Sequence, residues 1–196
     1  MGGLDARHLI TNIRPTEYHP VSMTSISTPH RGSPFMDWCN ANVGVGNEII
    51  EEAVREAKGK KAVPEEVEKE LVKVPYTLKS PLFYMLSVLD QPAYAMLSTK
   101  YMAAVFNPST PDVEGVKYYS VAARTRRLAV WHPLWLPKLI LDAAAESRSA
   151  GGEADGSGDA LGGELQGNDG LVSVQSAKWG TFLGVVEGCD HWDLRG

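Results

Sequence analysis

Gly167-Asn168-Asp169-Gly170-Leu171-Val172-Ser173 sets an acid between an asparagine and a glycine, residue types that favour a tight turn. The apolar run over residues 181–186 follows with the character of a short strand. Glu187-Gly188 breaks that run ahead of Asp190-His191-Trp192-Asp193. Asp169 and His191 therefore each fall on a loop, with a rigid element between them. An acid and a base that act together need that placement, at the ends of elements that hold them still. The other reading of the same residues is a loop aspartate and a surface histidine, and the two stand side by side on this stretch alone.

The bulk numbers narrow the field. The chain has 196 residues, enough for one domain, and its 43% apolar content is ordinary for a globular protein. A net charge of −5 argues against nucleic acid as the main partner. The basic run Arg124-Thr125-Arg126-Arg127 reads as a solvated loop or helix start. No apolar stretch is long enough to cross a bilayer, and no charged-then-apolar leader opens the chain. Cys39 and Cys189 make no disulfide framework; they read as two reduced thiols, with pairing left open. No CxxC or His/Cys cluster points to zinc.

Taken in order, residues 2–13 carry Ala6, Leu9, Ile10 and Ile13 at helical spacing, and Pro15 stops the helix. Asp5 and Arg7 read as surface or helix-end residues. Residues 21–28, β-rich between Pro20 and Pro29, read as a strand. From Asn47 the chain is charged and amphipathic, with Ile49, Ile50, Ala53, Val54 and Ala57 forming one stripe. A second helix starts at Pro64 and runs over 64–74. Helices follow over 82–89 and, capped by Ser98, over 99–106, where Asn107-Pro108 ends the run. Residues 117–121 read as a second strand beside the first, and 182–186 as a third. Trp131 and Trp135 flank a Pro-broken stretch before a helix over 138–146; both fit either core packing or an acyl-chain site, since ligand pockets are largely apolar and aromatic. His132 shows no partner. Residues 149–167, rich in glycine and acids, read as a flexible loop.

Five runs, in this order, carry a resemblance: Met1-Gly2-Gly3-Leu4-Asp5-Ala6-Arg7, Ser27-Thr28-Pro29-His30-Arg31-Gly32-Ser33, Tyr118-Tyr119-Ser120, Asn168 to Ser173, and His191-Trp192-Asp193. Together they resemble the bacterial true lipases and their fungal relatives in the α/β-hydrolase superfamily. The resemblance implies an α/β fold: the C-terminal part of an α/β-hydrolase sheet with flanking helices. It implies a single, N-terminally truncated domain over 1–196, with a helical lid-like insertion over 36–75.

For the chemistry, the resemblance implies Asp169 as the acid and His191 as the base of a Ser-Asp-His triad. It places Met1 just after the nucleophile in a Gly-x-Ser-x-Gly elbow, so that the serine precedes the first residue and the Met1 backbone N–H is an oxyanion donor. His30 is then a wall residue. Trp131 and Trp135 are candidates to contact substrate, a lipid or a small ester. No organic cofactor is implied. A structural calcium is, with Asp193, two residues past the base, as a ligand. A lid face implies transient contact with a lipid surface. Two functions stay open: an ester hydrolase, triacylglycerol lipase-like, of which this chain holds the acid and base; or a non-catalytic fragment or pseudoenzyme that binds lipid or a partner protein. With only three strands expected, the first should show an unpaired edge.

Overall fold

The computed structural model describes residues 1–43, 46–57, 92–150 and 166–195. Three parallel strands, β1 (Ser22–Ile26), β2 (Lys117–Arg124) and β3 (Thr181–Glu187), lie in the spatial order β1-β2-β3. Met23 sits opposite Tyr118 and Ser25 opposite Ser120. Tyr119 sits opposite Thr181 and Ala123 opposite Val186, with a register shift at Ser120/Val121. All three expected strands are present, and β2 continues through Arg124. Parallel neighbours need crossover connections, so the three strands end on the same edge, and the loops that leave them gather there.

Burial alternates along β1 as the pleat requires: Met23 and Ser25 in; Ser22, Thr24 and Ile26 out. Met23 and Tyr118 pack with Ile10 on one face of the sheet. Ala122 packs farther along with Val172, Val174 and Ala177. Among the described residues the outer edge of β1 is unpaired. Val21, at its start, is 75% exposed and Ile26 56%.

Helix α1 (Gly2–His8) continues without a break into a π-helical stretch, Leu9–Ile13, closed by Arg14 at φ 51°. The extent matches the expected helix but its face does not. The π-widened turn carries Ile13 outward to 61% exposure while Ile10 stays buried. Arg7, expected at the surface, is 1% exposed. Its guanidinium donates to Asn107 Oδ1 (2.9 Å) and to the Thr110 carbonyl (2.7 Å) and lies 3.8 Å from the centre of a Trp179 ring. A cation with both partners and an aromatic face can be buried; helical spacing alone could not identify them.

Helix α2 (Pro34–Val43) places Met36, Trp38 and Cys39 against Ile140, and α3 (Asn47–Ala57) sets Ile50 and Val54 against Ala95 of the short α4 (Pro92–Ala95). These helices occupy the first part of the 36–75 span, and the side chains just named pack as core. The rest of that span, with the helix expected over 64–74, lies outside the described residues, as does the helix expected over 82–89.

Ser98 caps the next helix as expected, its Oγ accepting from Tyr101 N. The helix does not stop at Asn107-Pro108. It passes from α5 (Thr99–Tyr101) through a π-helical stretch, Met102–Phe106, into α6 (Asn107–Ser109). Pro108 falls in the first turn of that last segment, where a missing N–H is tolerated. Helix α7 (Trp135–Ala150) is longer than the expected 138–146 at both ends, Pro137 again lying in its first turn. Ser149 and Ala150 are thus helical. Residues 151–165 of the expected glycine-rich loop, with Asp155 and Asp159, lie outside the described residues. Helix α8 (Val174–Ala177) precedes β3.

Candidate active site

The acid turn is built at the end of β2. Thr125 N donates to the Asn168 carbonyl at 3.0 Å. Asn168 Oδ1 accepts from Gly170 N (3.0 Å), its Nδ2 donates to Asp142 Oδ1 (2.7 Å), and Asn168 forms an isolated bridge with Ser173. Gly170 has φ +98°, and a Cβ there would lie 3.1 Å from Leu134 Cβ, so both backbone and space call for glycine. Asp169, between them, has no exposed surface. Its Oδ1 accepts from Leu171 N (3.0 Å) and Val172 N (2.7 Å). Two backbone donors fix the carboxylate and leave its other oxygen to point one way.

That oxygen, Oδ2, lies 2.7 Å from His191 Nδ1. The histidine arrives on the turn after β3, where Gly188 N donates to the Arg124 carbonyl at 2.9 Å. Asp190 Oδ1 accepts from Trp192 N (2.7 Å) and Asp193 N (3.0 Å), and Asp193 Oδ2 accepts from Asp190 N (3.0 Å). This reciprocal capping closes the turn, and His191 N adds a 2.9 Å bond to the Asp169 carbonyl. A carboxylate only accepts, so a neutral His191 carries its proton on Nδ1 and a lone pair on Nε2. The side chain is a quarter exposed, and among the described residues Nε2 makes no hydrogen bond. An oriented imidazole with a free basic nitrogen can take a proton from a hydroxyl or from water.

Met1, the expected oxyanion donor, stands exposed at the N-cap of α1, its carbonyl accepting from Leu4 N and Asp5 N. A Cβ on Gly3 would overlap Thr28, so the start of α1 lies against the chain just beyond β1, on the edge where the strands end. His30 is fully buried, with Nε2 2.9 Å from Ser25 Oγ and its ring stacked on Trp179 at 5.3 Å. Burial above all, then Arg7, Arg31 and the terminal ammonium, push its pKa down to about 3. It is a neutral, structural imidazole.

Trp131 is 85% exposed on the loop before α7, and Trp135 is half-buried in the first turn of that helix. Neither lines the apolar groove of about 630 Å³ along α1, bounded by Leu4, Leu9, Ile13 and Phe106. Neither lines the polar one of about 470 Å³ bounded by Arg124–Arg127, Glu187 and Gly188. Arg124 at the end of β2 holds Glu187 through Nε at 2.8 and 2.9 Å. Asp193 Oδ2 is engaged with Asp190 N, and among the described residues no three His, Cys, Asp or Glu side chains gather to hold a metal ion. Cys39 and Cys189 are both free thiols.

One residue without a partner in the sequence gains one here: His132 Nε2 lies 3.3 Å from Asp190 Oδ2, and its ring is 5.5 Å from that of Trp192. No local signal joins positions so far apart in the chain. The turn chemistry at Asp190 is visible in the sequence, since an Asp-x-x-Asp spacing suits reciprocal capping.

No family model matches the chain. Over 196 residues it is 29% identical to triacylglycerol lipase 2 of Saccharomyces cerevisiae, a match that covers 99% of this chain and 43% of that protein. The chain thus spans less than half the length of the curated relative it matches. Among solved structures it is similar to lipase 1 from Pelosinus fermentans, with a TM-score of 0.50 and 14% identity, covering 97% of this chain and 63% of that one. The small parallel sheet and its flanking helices are those of a lipase-like α/β-hydrolase fold.

Proposed function

We propose that Asp169 and His191 are the acid and base of a Ser-Asp-His ester hydrolase acting on a lipid or small carboxylic ester. Asp169 fixes the His191 ring through Nδ1. Nε2 takes the proton of a serine hydroxyl as that oxygen attacks the ester carbonyl carbon. The alcohol leaves with the proton from Nε2, and an acyl-serine forms. Water then attacks the acyl carbon, gives its proton to Nε2, and the acid leaves as the serine regains a hydrogen. Backbone N–H groups at the start of α1, Met1 among them, are the oxyanion donors of this reading. No cofactor takes part in these steps.

The observation that carries the reading is the 2.7 Å contact between His191 and a fully buried, doubly hydrogen-bonded carboxylate. Likeness to a protein named as a triacylglycerol lipase supports the substrate class. Val130 and Trp131, exposed side by side on the loop before α7, support transient contact with a lipid surface. A second reading, a non-catalytic chain that binds lipid or a partner protein, draws on the same exposed Val130 and Trp131.

A fluorophosphonate probe separates the two. It is applied to this chain and to a chain extended upstream through its in-frame sequence, and the labelled peptide is mapped by mass spectrometry. The hydrolase reading expects one labelled serine, with labelling lost in His191→Ala. Labelling of neither chain supports the binding reading, and labelling that persists without His191 contradicts the triad.

A further inference from the structure

The loop between β2 and α7 reaches both turns that carry the Asp169–His191 pair, through the neighbours Gly170 and Asp190. On the acid side, Leu134 packs where a side chain on Gly170 would have to go. On the base side, His132 Nε2 lies 3.3 Å from Asp190 Oδ2, and Asp190 is the neighbour of His191. The His132 tautomer is set locally. Leu134 N donates to His132 Nδ1 at 3.2 Å, so that nitrogen holds a lone pair, and the ring proton sits on Nε2, the nitrogen 3.3 Å from Asp190 Oδ2. The other Asp190 oxygen is already engaged, accepting from Trp192 N and Asp193 N. The two oxygens of Asp190 therefore act separately, Oδ1 shaping the turn and Oδ2 tying it to the loop. The Trp192 ring, against the His132 ring, closes the same junction.

We propose that His132 is a positioning residue: through Asp190 it locks the turn that presents His191 to Asp169. The inference rests on the reading of Asp169 and His191 as acid and base. His191 meets Asp169 through one side-chain bond and one backbone bond, both from a single short turn. A turn free to rock would lengthen both together. Asp190 is mostly buried, and a buried carboxylate left without one of its partners is costly, so His132 adds to the bonds that seat the turn.

The test uses this chain labelled with ¹⁵N-histidine, whose five histidines give a simple spectrum. The signal read is the far-downfield Nδ1–H resonance of His191 bonded to Asp169. Three substitutions at His132 separate its contacts. His132→Gln keeps a donor that reaches Asp190, His132→Asn keeps only an acceptor for Leu134 N, and His132→Ala keeps neither. Asp190→Asn keeps the turn through its remaining oxygen but sets a donor against the His132 donor; it serves as the second route should His132→Ala fail to fold.

The proposal expects the resonance in the parent chain and in His132→Gln. It expects broadening beyond detection in His132→Asn, His132→Ala and Asp190→Asn, at an unchanged far-ultraviolet spectrum. A resonance that survives unaltered in Asp190→Asn and His132→Asn overturns the proposal and leaves the acid–base pair standing. Loss in His132→Gln as well as the others overturns it too, since reach to Asp190 would then not matter. A parent chain without the resonance overturns the pair and the proposal together.

Discussion

Asp169 Oδ2 and His191 Nδ1 meet at 2.7 Å, while Asp169 Oδ1 is held by the backbone of Leu171 and Val172. The two carboxylate oxygens do different work, and substitutions separate them. Asp169→Asn can keep the turn through its carbonyl oxygen but presents an amide donor to the ring, favouring the tautomer that protonates Nε2. In an active form of the protein, kcat should fall about 10⁴-fold with little change in the unfolding midpoint. Asp169→Ala strips both backbone amides of their acceptor and should lower stability by about 1–3 kcal/mol, read by urea titration.

His30 makes stability depend on pH. Its folded pKa, about 3, lies below the ordinary 6.5, so below pH 6.5 the unfolded chain binds a proton that the folded chain refuses. Stability is full above pH 6.5 and falls as the pH drops toward 3, by up to about 1.4 kcal/mol per pH unit from this group. Urea midpoints across that window should slope less in His30→Gln than in the parent. Equal slopes would mean that His30 titrates freely in the fold.

The two thiols should differ in reactivity. Burial pushes the Cys39 pKa up to about 12, and Met36, Trp38 and Ile140 surround it, while Cys189 is half-buried on the turn before His191. Iodoacetamide under native conditions should modify Cys189 and leave Cys39 intact until denaturant is added, as read by peptide mass spectrometry. Early modification of Cys39 would contradict the packing of α2 against α7.

Arg7 joins α1 to α6 and to Trp179. Arg7→Lys keeps the charge but loses the fork that reaches both Asn107 and Thr110, and a lysine is no match for the indole face. A loss of about 1–3 kcal/mol follows from a buried acceptor left without its donor, measured by urea unfolding.

Residues whose partners lie nearby in the chain are legible from the amino-acid sequence alone. The strands announce themselves by β-rich runs between breakers, Ser98 by its place before a helical run, and the acid turn by Asn168-Asp169-Gly170. Asp169 and His191 are legible as loop residues at the ends of elements, and the fold brings their side chains together. What stays hidden depends on partners far away in sequence. Arg7 reads as a surface arginine until Asn107, Thr110 and Trp179 surround it. Ile13 reads as core until the π-helical turn rotates it out. His132 shows no role until Asp190 is folded against it. The lipase resemblance supplies the order of the elements, but the contacts that brace the pair belong to tertiary packing.

The most direct measurement is hydrolysis of one short and one long p-nitrophenyl ester. The chains compared are this one and its upstream-extended form, each with and without His191→Ala. The account predicts that wherever ester is cleaved, His191→Ala abolishes cleavage, leaving at most about one part in 10³. Cleavage that persists in His191→Ala would contradict the assignment of Asp169 and His191 as acid and base.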